Sequence, residues 1–302
     1  MADALTAEHL YKSFNGNTVV QDVSFSVQER EVFGLIGPNG AGKTTTIRML
    51  LHIIQPDRGD VALFGHPLDD AGRDRVGYLP EERGLYRHAR AEDVLAYMGR
   101  LKGLSAPAAK KRAWEVLEMV GLAAHGKKKI SQLSRGMGQL VQFGATVMHR
   151  PALVILDEPF SGLDPVNTEH LKEMVLNLQR EGAAVIFSTH QMNQVEELCQ
   201  RVLMINRGRA VLYGPVLEVK QRYRGDSLFI TWNGPRDRVR GIARWEDRGT
   251  FSEAFLNEGA TPESVLREML DLGGQVMLFQ LSLPSLNDVF IRVAGEVPAN
   301  VP

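Results

Sequence analysis

The chain has 302 residues, 44% hydrophobic and 24% charged, the balance of a globular protein with two domains or one large domain and an appendage. A net charge of −1 excludes a global basic field for nucleic acid, and the one cysteine, Cys199, excludes an internal disulfide and fits a reducing cytoplasm. No apolar run approaches the roughly 18 residues of a membrane span, and residues 1–5 show no leader pattern, so a membrane role is expected to run through another polypeptide.

Residues 5–27 are predicted as two strands about a turn at Asn15-Gly16-Asn17, and 31–37 as an apolar strand entering a glycine-rich turn. A helix follows. Ile47, Leu50, Leu51 and Ile54 recur at i, i+3, i+4 and i+7, so it buries one face. Gln55-Pro56-Asp57-Arg58-Gly59 stops it, and 61–64 returns as a strand. From about 85 to 150 the periodicity is helical, over 94–104, 108–120 and 136–148, with no strand between. This reads as a helical subdomain inserted into the first fold. After Pro151, strands at 153–156 and 185–188 flank a helix at 167–181, which argues for a parallel sheet with helices on its faces. Cys199, in the helical run 191–201, reads as a small buried hydrophobe.

Composition shifts near Gly214-Pro215, and 220–226 is polar and basic. The expected domains are therefore 1–216 and 217–302. The tail reads as a strand at 228–232, a variable stretch, a helix at 262–272 opened by Thr261-Pro262, a strand at 275–281 and a helix at 286–293. Residues 296–302 read as disordered. The expected fold class is α/β, with an antiparallel β subdomain first, an inserted helical subdomain, and a small C-terminal α/β domain.

Gly37-Pro38-Asn39-Gly40-Ala41-Gly42-Lys43-Thr44 fits the phosphate-loop pattern G-x-x-x-x-G-K-[ST], between a predicted strand and a predicted helix. Glycines let the backbone wrap phosphate oxygens with its N–H groups pointing inward. The helix N-terminus adds partial positive charge. Lys43 is expected to reach the β- and γ-phosphates of ATP, and the Thr44 hydroxyl to ligate Mg²⁺, with Thr45 completing the nucleotide contacts. At 153–156 a buried strand ends in Asp157-Glu158, the end where open α/β sheets bind ligands. Asp157 is expected to hold Mg²⁺ through water, and Glu158 to polarise the attacking water. The bland alternative for each motif is a glycine turn with a chance lysine, or two solvated carboxylates before Pro159. The two motifs together disfavour it.

Further motifs narrow the class. Leu133-Ser134-Arg135-Gly136-Met137 resembles the signature motif of the ABC ATPases, usually Leu-Ser-Gly-Gly-Gln. Ser161-Gly162-Leu163-Asp164 resembles the family's D-loop, His190 its switch histidine, and Gly77-Tyr78-Leu79-Pro80-Glu81 its Q-loop. Phe14 falls where the family stacks an aromatic on adenine. The resemblance runs from residue 5 to about 215. It implies a P-loop NTPase core that hydrolyses ATP and a head-to-tail homodimer. ATP would be sandwiched between one copy's phosphate loop and the other's signature, with Ser134, Gly136 and Asp164 on the far side. A helix N-terminus at Ser134 and Gly136 is itself a ready anion site.

Two departures stand out. Arg135 and Met137 replace the usual Gly and Gln of the signature. Glu81 stands where the family has glutamine; it can ligate Mg²⁺ but cannot donate a hydrogen bond. Glu82, one residue on, is the alternative holder of that role.

Glu81-Glu82-Arg83-Gly84-Leu85-Tyr86, the Arg-Gly-Met of the signature, and Leu286-Asn287-Asp288-Val289-Phe290 resemble the ATPase subunits of ABC-2-type, sodium-extrusion-like exporters. That resemblance implies a peripheral protein on the inner face of the cell membrane, serving an integral-membrane permease whose coupling helix docks near Tyr86. The alternatives are a soluble ABC ATPase with a non-membrane partner, which usually carries two ATPase units or long coiled coils, and a nucleotide-gated module with weak hydrolysis. Glu158 and His190 disfavour the second. The remaining histidines show no metal-ligand spacing.

Overall fold

Short apolar runs punctuated by glycine make most of the chain a succession of strands and helices. The computed structural model describes residues 2–82 and 84–296. β1 (Asp3–Phe14) and β2 (Asn17–Gln28) form a hairpin about Asn15-Gly16, both at positive φ. β3 (Val32–Ile36), buried at every position, runs through the glycine loop into α1 (Lys43–Leu50). β4 (Arg58–Leu63), β5 (His66–Pro67), α2 (Asp70–Asp74) and β6 (Val76–Leu79) follow. Then come α3 (Ala91–Leu101), α4 (Ala106–Met119) and α5 (Arg135–Thr146), with no strand element between them. Alternation resumes with β7 (Leu153–Asp157), α6 (Pro165–Arg180), β8 (Ala184–Thr189), α7 (Met192–Leu198), β9 (Arg201–Asn206) and β10 (Arg209–Pro215). α8 (Val216–Arg222) comes next.

The chain divides into two units, Met1–Val216 and Leu217–Pro302. In the first, an antiparallel sheet of order β2-β1-β4-β5 faces a six-stranded sheet of order β10-β9-β3-β8-β7-β6. One core joins them. It takes Leu5, Val20 and Phe25 from the first sheet, Phe33, Leu35, Ile155 and Ile186 from the second, and Ile47 and Leu50 from α1. β3, β6, β7, β8 and β9 are parallel, so their C-terminal ends meet along one edge, where the phosphate loop and Asp157-Glu158 both lie.

In the second unit, β11 (Ser227–Trp232), β12 (Ile242–Asp247), β13 (Ser252–Leu256), α9 (Pro262–Asp271), β14 (Val276–Leu281) and α10 (Leu286–Glu296) build an antiparallel sheet of order β12-β13-β11-β14. Leu228, Ile230 and Trp232 alternate onto one face of it, against Val265 and Met269 of α9. Thr261 caps α9 by accepting from Ser264 N–H. Among the described residues no helix is long and apolar enough to cross a membrane.

The structure corrects several sequence expectations. α1 stops at Leu50, although the periodicity carries to Ile54. His52 takes a φ of 49°, and the Ile53 and Ile54 N–H groups turn back to the Arg48 carbonyl, while Leu51 and Ile54 still pack on the core. β6, β9 and β10 were not predicted as strands. The variable stretch of the tail holds β12 and β13. Of the predicted disordered segment, Glu296 ends α10 and the rest lies outside the described residues.

Candidate active site

The glycine loop closes around its own lysine. Lys43 Nζ, on a residue only 7% exposed, donates to the carbonyls of Gly37 (2.9 Å) and Pro38 (3.2 Å). The path requires glycine. Gly37 has a φ of 152°, and a methyl group there would stand 2.1 Å from the Ile205 carbonyl oxygen. Gly42, just before α1, has a φ of 107°, and a methyl group would meet the Val19 carbonyl at 2.8 Å.

Facing the loop is the end of β7. Asp157 is fully buried and accepts from Ser188 Oγ at 2.5 Å. The same hydroxyl accepts from the Glu158 N–H at 3.0 Å. Asp157 Oδ2 is buried with no partner. A buried carboxylate oxygen left unpaired costs free energy unless a ligand or water meets it, which fits a cation-facing role. Glu158 sits at a φ of 48°, a strained region for a residue with a side chain and one that clusters at active sites. Its carboxylate, 11% exposed, lies 3.6 Å from Lys43 Nζ. His190 Nδ1 lies 3.1 and 3.2 Å from the two Glu158 oxygens and donates to them, since an ionised carboxylate only accepts.

Lys43, Glu158 and His190 line one cavity of about 450 Å³, while Gly37, Pro38 and the fully buried Asp157 lie behind its lining. Its lining brings together Asn39, Gly40, Ala41, Gly42, Lys43, Thr44 and Thr45 of the loop with Glu81, Glu158 and His190. Of the two alternatives, Glu81 lines the cavity and Glu82 does not. Val19 and Ser161 also line it; neither was chosen from sequence as a contact, although Ser161 opens the D-loop motif. Ser188 was missed too, because only the register of β7 and β8 pairs it with Asp157.

Among the described residues no three His, Cys, Asp or Glu side chains converge as a metal cage. A cation here would draw on few protein oxygens, with phosphate oxygens and water supplying the rest, the coordination Mg²⁺ favours.

Other predicted residues lie apart from this cavity. Phe14, at the end of β1, is 42% exposed and outside its lining, with Lys12 Nζ 5.5 Å from the ring centre. Ser134 caps α5, its hydroxyl accepting from Met137 N–H at 3.2 Å. It lines a separate cavity of about 460 Å³ with Arg87 and Arg135, and no acidic residue is in that lining. Gly136 is buried beneath Leu163 and Asn167. Asp164 caps α6 through Asn167, and these hydrogen bonds hold its carboxyl below the ordinary range.

A lysine wrapped by glycines, aimed at carboxylates on the next parallel strand but one, defines a phosphate-loop nucleotide hydrolase. Residues 20–161 match the ABC transporter family, and residues 214–294 match the DrrA1-3-like ATP-binding protein C-terminal domain. The chain is 38% identical over 297 residues to the ABC transporter ATP-binding protein YhaQ of Bacillus subtilis, covering 97% of this chain and 99% of the relative. It is 33% identical to the Nod factor export ATP-binding protein I of Burkholderia pseudomallei over 96% of both chains. A solved ATP-binding subunit of an ABC transporter superposes with a TM-score of 0.67 at 30% identity, over 73% of this chain and 93% of that one. The chain belongs to the ABC transporter ATP-binding proteins, a family of ATPases. Membership agrees with the exporter reading of the sequence and fits the two-part architecture.

Proposed function

We propose that two copies of this chain, arranged head to tail, hydrolyse Mg·ATP to drive export through a separate integral-membrane permease, from the inner face of the cell membrane. The observation that carries the reading is the split site. The phosphate-loop cavity holds Lys43, Glu158 and His190, while the cationic cavity at Ser134 lies elsewhere on the same chain. A second copy in two-fold symmetry would bring one against the other. Export rests on the sequence resemblance and on the similarity to a Nod factor export protein.

Each residue then has a role. The N–H groups of residues 39–45 and the Lys43 ammonium bind the phosphates, and Phe14 offers its exposed ring to adenine. Thr44, Asp157 and Glu81 are the oxygens available to Mg²⁺, which neutralises phosphate charge when bound. Water attacks the γ-phosphorus while Glu158 takes its proton, and the bond from the γ-phosphorus to the bridging oxygen breaks with its electron pair on ADP, releasing inorganic phosphate. His190, donating to Glu158, holds that carboxylate in position. Ser134 and Gly136 of the other copy, with Asp164 beside them, meet the γ-phosphate. The apolar groove lined by Leu85, Met98 and Leu101, flanked by Tyr86, is the seat for a permease helix.

Glu158→Gln tests this. It should lower steady-state turnover by about 10²–10⁴-fold, the worth of a general base, and should leave an ATP-bound dimer that light scattering detects. Wild-type turnover would move the base elsewhere. A variant that binds ATP yet stays monomeric would remove the head-to-tail arrangement.

A further inference from the structure

β6 is the edge strand of its sheet, bonded only to β7. Its outward carbonyls therefore need partners from elsewhere. α5 and the residues after it supply them from one face. His149 Nε2 lies 3.1 Å from the Val76 carbonyl, and Thr146 Oγ1 lies 3.3 Å from the Tyr78 carbonyl, its one hydrogen shared with the Gln142 carbonyl at 3.0 Å. Gln142 Nε2 donates to both Pro80 (3.3 Å) and Glu82 (3.1 Å). Gln142 and Thr146 lie one turn apart on α5 and His149 follows just past its end, while residues 76, 78 and 80 alternate along β6 and its next residue. Gly77 permits the approach, since a methyl group there would stand 2.5 Å from the Thr146 carbonyl oxygen.

Gln142 is the informative rung. Its side chain grips the carbonyls of the residues on either side of Glu81, so the peptide entering Glu81 and the Glu82 carbonyl beyond it are held by one amide. Only an NH₂ can bond two carbonyls, which fixes the amide's orientation. That orientation leaves Oε1 buried with no partner, on a residue 5% exposed. Ser134 begins the same helix, about 12 Å away at a helical rise of 1.5 Å per residue.

We propose that Gln142 is a positioning residue for Glu81, tying the Glu81 carboxylate in the phosphate-loop cavity to the helix that opens at Ser134. The ladder makes the near half of the ATP site and the half offered to the other copy move together. This rests on the reading of Glu81 as a Mg²⁺-facing oxygen.

The test titrates Mg²⁺ into the full-length chain with a fluorescent ATP analogue, without turnover. Gln142→Met keeps the volume and removes the donor; where it does not fold, Gln142→Glu removes the donor in the same shape. Gln142→Met and Glu81→Gln should each raise the Mg²⁺ concentration for half-saturation by about tenfold, the usual effect of losing a group that orients a ligand. The double variant should show no further rise, because both changes act through one carboxylate. Thr146→Val, one rung away, should lower the melting temperature and leave the Mg²⁺ midpoint in place. A shift in Glu81→Gln without one in Gln142→Met overturns the proposal and spares the reading of Glu81. No shift in Glu81→Gln removes both. Additive shifts, or an equal shift in Thr146→Val, reduce the ladder to ordinary packing.

Discussion

Two carboxylates face the same cavity from strands that are held in different ways. Glu158 follows β7, which is bonded on both sides by β6 and β8. Ser188 of β8 then pins both the Glu158 N–H and Asp157. Glu81 follows β6, whose outer carbonyls are met, among the described residues, by side chains of the helical subdomain. Glu158, the proposed base, thus stands on a lattice of backbone hydrogen bonds. Glu81 stands on a ladder that can be removed one rung at a time.

The contrast breaks most visibly at Asp157. Asp157→Asn keeps the shape and removes a charge from a fully buried site whose Oδ2 has no partner. ATPase turnover should fall by about 10²–10³-fold, as when one preorganised electrostatic group is lost. The nucleotide-free protein should melt higher, because an unpaired buried carboxylate has been exchanged for a neutral amide. Phosphate release and a thermal melt measure the two. A lower melting temperature would mean that Asp157 is compensated in a way its contacts do not reveal.

What could be read in advance follows the same division. The phosphate loop and the Asp157-Glu158 strand are local in the chain, so turn chemistry, an apolar run and spacing were enough. The helices of residues 91–146 were legible for the same reason, and His190 through its place after the predicted strand 185–188. The ladder was not, because Gln142 meets Pro80 and Glu82 across some 60 residues of chain. β6 itself is four residues long and opens Val-Gly-Tyr, too short a run for period-two patterning to stand out. β12 hid behind its outward Arg244 and Glu246. The separation of Ser134 from the phosphate loop was expected through the family resemblance alone, because no motif spacing contains it.

A smaller effect sharpens the edge side of the comparison. Gly77→Ala adds one methyl group between β6 and α5, 2.5 Å from the Thr146 carbonyl oxygen. The helix must shift, and overpacking of this kind costs about 1–3 kcal/mol. Urea unfolding should show that loss. Hydrogen exchange should show faster opening at residues 78–82 than at 153–157. Equal acceleration in both segments would erase the distinction between the two strands.

The smallest expected effect is a pH dependence at the last rung. A carbonyl only accepts, so His149 Nε2 carries the proton toward Val76. Burial lowers the pKa of His149 from its ordinary 6.5, helped by the charge of Lys102 and opposed by the Val76 bond and by Asp74. With the folded pKa depressed, the unfolded chain binds a proton first as pH falls. Stability is therefore level above 6.5 and declines below it, until the folded imidazole also titrates. The slope from one such group is at most about 1.4 kcal/mol per pH unit. His52 shifts in the same direction, also through burial, so the comparison must be between wild type and His149→Gln. Between pH 7 and 5 (about one to two units across the ordinary histidine value), the variant should lose less stability than the wild type. Parallel pH profiles would mean that folding leaves the titration of His149 unshifted, and burial of the imidazole against Val76 would then carry no pH dependence.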